Sequence, residues 1–161
     1  MSIESTIAAH LIERGWRLAL AETTTGGLIS VRFVRLPGSS AYFDRGIVAY
    51  SQAAKVQALG IDPDVTKTYG VVSAESARIM AAGLQRLSQA DLVLAETGIA
   101  GPIRGRSPKP LGMTYFALHT PTGMLAAEAR FDGDRHDIQE QIADYALDMM
   151  AGYLGAGAAG V

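Results

Sequence analysis

The sequence predicts an α/β fold, a three-layer α/β/α sandwich with a mixed sheet and a late β-hairpin. Two observations carry this. Short apolar runs alternate with segments whose apolar residues recur at three- and four-residue intervals, the order expected of parallel strands joined by helices. Late in the chain, two apolar runs are separated only by Pro121-Thr122-Gly123, the mark of an antiparallel hairpin. The 161 residues suit one ordinary domain with a real core. We expect that domain over 1–154, with a flexible tail of glycine, alanine and valine over 155–161.

Each element has its own signal. Ile3, Ile7, Leu11 and Ile12 mark a first helix, stopped by Gly15. Trp16 to Ala21 reads as a buried strand, and the polar run from Glu22 to Gly27 breaks it. Leu28 to Leu36 resumes at helical spacing and ends before Pro37-Gly38. Gly46 to Tyr50 reads as a second strand. Ser51 caps a helix closed by Gly60, Asp62-Pro63 starts a short one, and Ser73 caps a longer one with Ala77, Met80, Ala81, Leu84 and Leu87 on its apolar face. Asp91 to Ala95 is a third strand. A basic, mobile loop over 103–110 leads to hairpin strands at Gly112 to Thr120 and Met124 to Phe131. Ile138, Ile142, Tyr145, Ala146, Met149 and Tyr153 trace a last helix.

Composition narrows the function classes. Hydrophobic residues make up 48% and charged residues 19%, which excludes a disordered chain. A net charge of −2 gives no basic surplus for nucleic acid, so that partner is not expected. The absence of cysteine removes disulfides, thiolate metal sites and a cysteine nucleophile. The first residues show no signal peptide, and no apolar run reaches a membrane span. The expectation is a cytoplasmic protein with no membrane partner, and the start at Met1 without a linker favours a stand-alone one.

In such sheets, ligands bind beyond the carboxyl ends of the strands. Three polar segments fall there. Glu22 to Gly27 offers the hydroxyls of Thr23, Thr24 and Thr25 and the flexible Gly26 and Gly27 at a helix start. It suits an anion, or it is simply a capped turn. Tyr50 to Lys55 follows the second strand, with Ser39 and Ser40 shortly before that strand. A desolvated Lys55 near a serine would act as its base, with Tyr50 as relay; the alternative is a solvated helix lysine beside ordinary turn serines. Thr97 to Pro102, including Gly98 and Gly101, exposes backbone N–H groups able to hold an oxyanion or a phosphate, or forms a plain tight loop.

His10, His119 and His136 lack metal-ligand spacing. Asp132, Asp134 and Asp137 read as a solvated helix start, from which Arg135 reaches a phosphate. No metal and no cofactor are expected.

The motifs together resemble the C-terminal domain of the competence/damage-inducible CinA family, the nicotinamide-mononucleotide amidohydrolases. The carrying residues are Ala21-Glu22 with Thr25-Gly26-Gly27, Gly38-Ser39-Ser40-Ala41 with Phe43, Tyr50-Ser51 with Lys55, and Leu59-Gly60. Further on come Gly70 with Val72-Ser73, Thr97-Gly98-Ile99-Ala100-Gly101-Pro102, Lys109-Pro110 with Gly112, and Gly133-Asp134-Arg135. The likeness runs from about residue 5 to residue 154. It implies a metal-free homo-oligomer, with a dimer favoured. It also implies hydrolysis of the carboxamide of nicotinamide mononucleotide to nicotinate mononucleotide and ammonia by a Ser/Lys dyad. Lys55 matches the lysine and Tyr50 the nearby tyrosine. Ser40 is the first candidate nucleophile and Thr23 the second. Thr25, Gly26, Gly27, Ser39, Thr97, Gly98, Gly101 and Arg135 are the expected substrate contacts.

Three positions depart from the family pattern. Thr23 stands where the family has serine in Glu-Ser-Cys-Thr-Gly-Gly. Ile103-Arg104-Gly105 stands where the family reads Asp-Gly-Gly. Glu96 adds a negative charge before Thr97. The alternative they raise is a catalytically altered or inactive paralogue that acts as a nucleotide-binding or interaction module.

Overall fold

The structure is a computed structural model, and it describes residues 1–155. The expected tail at 156–161 lies outside the described residues. The elements are α1 (Ile3–Arg14), β1 (Leu18–Glu22), α2 (Leu28–Val34), β2 (Phe43–Val48), α3 (Gln52–Leu59), α4 (Pro63–Tyr69), α5 (Ala74–Ser88), β3 (Leu92–Gly98), β4 (Met113–Thr120), β5 (Gly123–Arg130) and α6 (Arg135–Leu154). One 3₁₀ turn, Ser39–Ala41, precedes β2.

The strands form one mixed sheet in the order β2-β1-β3-β4-β5. β1 pairs in parallel with β2 and β3; β4 pairs antiparallel with β3 and β5. The two central parallel strands are buried on both faces, which is why they read as continuous apolar runs. Their alternation divides the core by size. Leu18, Leu20, Leu92 and Leu94 face α1, α2 and α6, packing on Ile7, Phe33, Ile142 and Leu147. Ala19, Ala21, Val93 and Ala95 face α5, against Ala77, Met80, Ala81 and Leu84. The small residues let α5 sit close. At Gly83 an added Cβ would lie 2.2 Å from the Leu59 carbonyl oxygen, so α5 and the end of α3 touch backbone to side-chain position.

Several expected caps are present. Ser51 accepts from the Ala54 N–H, Ser73 from the Ser76 N–H, and Asp62 from the Asp64 N–H with Pro63 next. Two strands differ from expectation. β2 begins at Phe43 rather than Gly46 and stops before Tyr50. It is an edge strand with solvent-facing Arg45, so its start lacks an apolar signature. β3 runs on through Glu96 and Thr97 to Gly98, where a charged residue suggested that the strand had ended. Glu96 is fully buried there, and its partners explain how.

Candidate active site

Past the carboxyl ends of β1, β2 and β3 lies a cavity of about 300 Å³. Thr23 and Thr24 come to it from the turn after β1, Tyr50 and Lys55 from the start of α3, Thr97 and Gly98 from the end of β3. Arg135, the first residue of α6, and Arg104, from the loop after β3, close its far side. A wider hollow of about 540 Å³ adjoins it across Gly101 and Arg135, with Leu111, Phe131 and Ile138 among its lining residues.

Lys55 is the unusual residue. Ser51 caps α3, and one turn later the Lys55 side chain is fully buried, with no hydrogen-bond partner for Nζ among the described residues. A buried ammonium without a partner is costly, so burial favours the neutral amine. Burial pushes its pKa down to about 8, with the charge of Glu96 pulling the other way. That leaves a usable fraction of free base near neutral pH.

Thr23 is also buried and lines the same cavity. Its backbone N–H donates to Glu96 Oε1 at 2.7 Å, and its hydroxyl donates to the Ala49 carbonyl at 3.1 Å. The Thr24 hydroxyl is buried with no partner, while the Thr24 carbonyl accepts from Gln139 of α6 at 2.9 Å. The turn is therefore held by β3, by the residue after β2 and by α6, and Thr23 and Thr24 line the cavity that Lys55 also lines.

Three expected ligand contacts, Thr25, Gly26 and Gly27, do not line this cavity. Thr25, Gly26 and Gly27 do start a helix suited to an anion, but the protein supplies the anion itself. Glu22 Oε2 accepts from the Gly27 and Ile29 N–H groups at 2.9 and 3.1 Å, and Glu22 Oε1 from the Ser30 N–H and hydroxyl at 2.8 and 2.6 Å. Thr25 Oγ1 lies 2.6 Å from Glu22 Oε2 and 2.9 Å from Glu96 Oε1. A substrate phosphate has no place there. Gly98 does line the cavity, and its missing Cβ also serves packing, since a Cβ would sit 2.4 Å from Thr114 Oγ1 on β4.

Ser39 and Ser40 are corrected most sharply. They precede β2, whereas Lys55 follows it. β2 has six residues, so a rise of roughly 3.3 Å per residue puts about 20 Å of strand between them. The Ser40 carbonyl accepts from Arg17, at the entrance to β1. Within one chain, the direction of the strand keeps Ser40 at the opposite end of the sheet from Lys55.

The remaining expectations meet at the cavity. Thr97 Oγ1 donates to the Val71 carbonyl at 3.0 Å, pinning the segment before α5 over the opening. Arg135 donates to the Gly101 carbonyl at 2.8 Å and to the Tyr50 hydroxyl at 3.1 Å. Tyr50 itself is largely exposed, so this brace spans the mouth rather than the floor. Two features were missed in the sequence. One is Glu22 as an internal anion, signalled by an acid directly before Thr-Thr-Thr-Gly-Gly. The other is Glu96 as a buried support of that turn, signalled by a lone acid in an apolar run.

The class is thus a three-layer α/β/α protein with a buried lysine and a threonine hydroxyl in one pocket at the switch from parallel to flanking strands. The family follows from comparison. A profile of the CinA C-terminal domain matches residues 1–154, and the chain belongs to that family. It is 43% identical over 149 residues to a CinA-like protein of Acidobacterium capsulatum, covering 92% of this chain and 36% of that one. A CinA-like protein of Syntrophus aciditrophicus is 43% identical over 159 residues, with 98% and 38% covered. The chain therefore spans little more than a third of the length of these relatives. Among solved structures, the competence/damage inducible protein CihA from Agrobacterium tumefaciens superposes with a TM-score of 0.85 at 35% identity, covering 96% of this chain and 97% of that one. The competence damage-inducible protein A from Klebsiella pneumoniae gives a TM-score of 0.92 at 29% identity, with 97% of each chain covered. Among the described residues, no helix is long and apolar enough to cross a membrane.

Proposed function

We propose that this domain is an amidohydrolase that converts nicotinamide mononucleotide to nicotinate mononucleotide and ammonia, with Thr23 as nucleophile and Lys55 as its base. The observation that carries the reading is the fully buried, unpartnered Lys55 amine in the cavity that Thr23 lines. A lysine is buried unpaired at a real cost, and function is the usual reason to bear it.

Neutral Lys55 takes the Thr23 hydroxyl proton as Oγ1 bonds to the carboxamide carbon. The carbonyl π pair moves to oxygen. Ile99 N–H is already given to the Met113 carbonyl at 3.1 Å, so the N–H groups of Ala100 and Gly101 are the oxyanion donors of that loop. As the C–N bond breaks, nitrogen takes the proton from Lys55 and leaves as ammonia. A water then gives a proton to Lys55, attacks the threonyl ester, and the proton returns to Thr23. The sum is amide plus water to acid plus ammonia. The phosphate goes to Arg104 and Arg135, since Glu22 occupies the helix start.

The test is ammonia release from nicotinamide mononucleotide, with Lys55→Met and Thr23→Ala expected to abolish it. Retained turnover in either variant sinks this assignment. A second reading, a ligand-binding module without turnover, has one observation behind it: the Thr23 hydroxyl is engaged by Ala49, and its extra methyl restricts χ1 relative to serine. A melting temperature raised by the nucleotide without ammonia release would select it.

A further inference from the structure

Two buried carboxyl groups meet at one hydroxyl. Thr25 Oγ1 stands 2.6 Å from Glu22 Oε2 and 2.9 Å from Glu96 Oε1. A threonine hydroxyl has a single proton to donate. With both carboxyls ionised that one proton is shared between two acceptors, whereas a proton on Glu96 Oε1 gives each contact its own. Glu22 is placed as the anion. Both its oxygens accept from N–H and O–H donors at the start of α2, where the helix dipole also favours negative charge. Glu96 is placed otherwise. It is fully buried, Oε1 takes only the Thr23 and Thr25 N–H groups besides the shared hydroxyl, and Oε2 has no partner.

We propose that Glu96 stands as a neutral carboxylic acid that passes a hydrogen bond through Thr25 to Glu22, and that in this state it is the positioning residue for Thr23. The positioning role rests on the reading of Thr23 as nucleophile; the protonation does not. Burial raises the Glu96 carboxyl above the ordinary carboxylate range, although its hydrogen bonds from Thr25 and Thr23 pull it back. The charged groups around it act in opposite senses. Glu22 from β1 repels a second negative charge. Lys55 from α3 attracts one, and Arg135 from α6 and Arg104 from the loop line the same cavity farther out. A neutral Glu96 removes the one anion that supports the Lys55 ammonium, so the state that holds Thr23 is also the state that frees the base. Glu96 and Lys55 then titrate as a pair. The working form keeps the proton on Glu96 and none on Lys55, and ionising Glu96 beside Glu22 loosens the turn.

The deciding measurement is a pH titration of the Glu96 side-chain carboxyl carbon by NMR in the unaltered protein, assigned by its loss in Glu96→Gln. A midpoint above the ordinary carboxylate range is expected, and one at or below that range overturns the proposal whether or not the protein turns over substrate. The kinetic arm uses two variants. Glu96→Ala leaves the Thr23 and Thr25 N–H groups unpaired and should lose on the order of 100-fold in kcat/KM. Glu96→Gln, neutral and still an acceptor, should recover most of that loss and should lack the wild-type fall in rate at high pH. An equal loss in both variants, or an alkaline limb that survives in Glu96→Gln, removes the positioning role. If neither wild type nor variants release ammonia while Thr23→Ala binds nucleotide normally, the amidohydrolase reading fails and the NMR result stands by itself.

Discussion

The turn after β1, Glu22 to Gly27, and the turn before β2, residues 37–40, are both short and rich in glycine and hydroxyl groups. In the fold they differ in everything that matters for chemistry. The first lies at the carboxyl end of the parallel strands, its threonines buried and tied to two carboxyl groups and α6. The second lies at the opposite end, with Ser40 exposed and only its carbonyl engaged, by Arg17. Residue type alone therefore does not mark the candidate nucleophile. On the mechanism proposed above, a place in the Lys55 cavity does, and the end of the sheet decides which turn has it.

The sharpest way to break this contrast is at the buried turn. Thr23→Ala should reduce ammonia release by about 10³-fold or more, since the attacking atom is gone. Thr23→Ser, which removes only the methyl and restores the family's residue, should keep or raise the rate several-fold by freeing χ1. A drop in Thr23→Ser would mean that the methyl packs a shape the reaction needs.

Lys55→Met separates function from stability. Turnover should vanish while the fold gains. The folded pKa of about 8 lies below the ordinary 10.5. A depressed lysine costs nothing where both states are neutral, above the unfolded value. The cost grows as pH falls below the unfolded value and is complete once pH has passed the folded value. The wild type therefore carries the full cost of its buried ammonium below about pH 8. At about 1.4 kcal/mol per unit this is on the order of 3 kcal/mol. Denaturant melts should show Lys55→Met more stable by roughly that amount at pH 7, with the gain fading between pH 8 and 10.5. A destabilised variant at neutral pH would contradict the buried, unpaired lysine. Glu22→Ala should act in the other direction, costing about 3 kcal/mol because the α2 N–H groups lose their acceptor.

Much of this was legible in the sequence, for reasons that are local. Ser51, Ser73 and Asp62-Pro63 cap helices through contacts two or three residues away, and Pro121-Thr122-Gly123 turns a hairpin by its own backbone preferences. The buried faces followed from periodicity. What was not legible depends on direction and pairing. Ser40 and Lys55 are 15 positions apart in the chain, a spacing that suits a dyad until a strand is threaded between them. The start of α2 reads as an open anion site because nothing local says that Glu22 folds back on it. Glu96 reads as a loop residue because its partners, Thr23 and Thr25, come from a segment more than 70 positions earlier.

The smallest expected effect tests the other turn. Ser40 is exposed, and its hydroxyl enters no hydrogen bond among the described residues. Ser40→Ala removes only that hydroxyl and keeps the carbonyl that Arg17 uses. Surface changes of this kind stay within about 0.5 kcal/mol, and ammonia release should match the wild type within assay error. The result matters because the serine and the lysine sit on opposite ends of β2. If Ser40→Ala lost activity while its melting curve held, the hydroxyl would have to reach a reacting centre from the far end of the sheet. Only a second molecule bringing its own Ser40 to the cavity could do that. Mixing Ser40→Ala with Lys55→Met protein would then restore turnover by complementation, and an absence of complementation would return the nucleophile to Thr23.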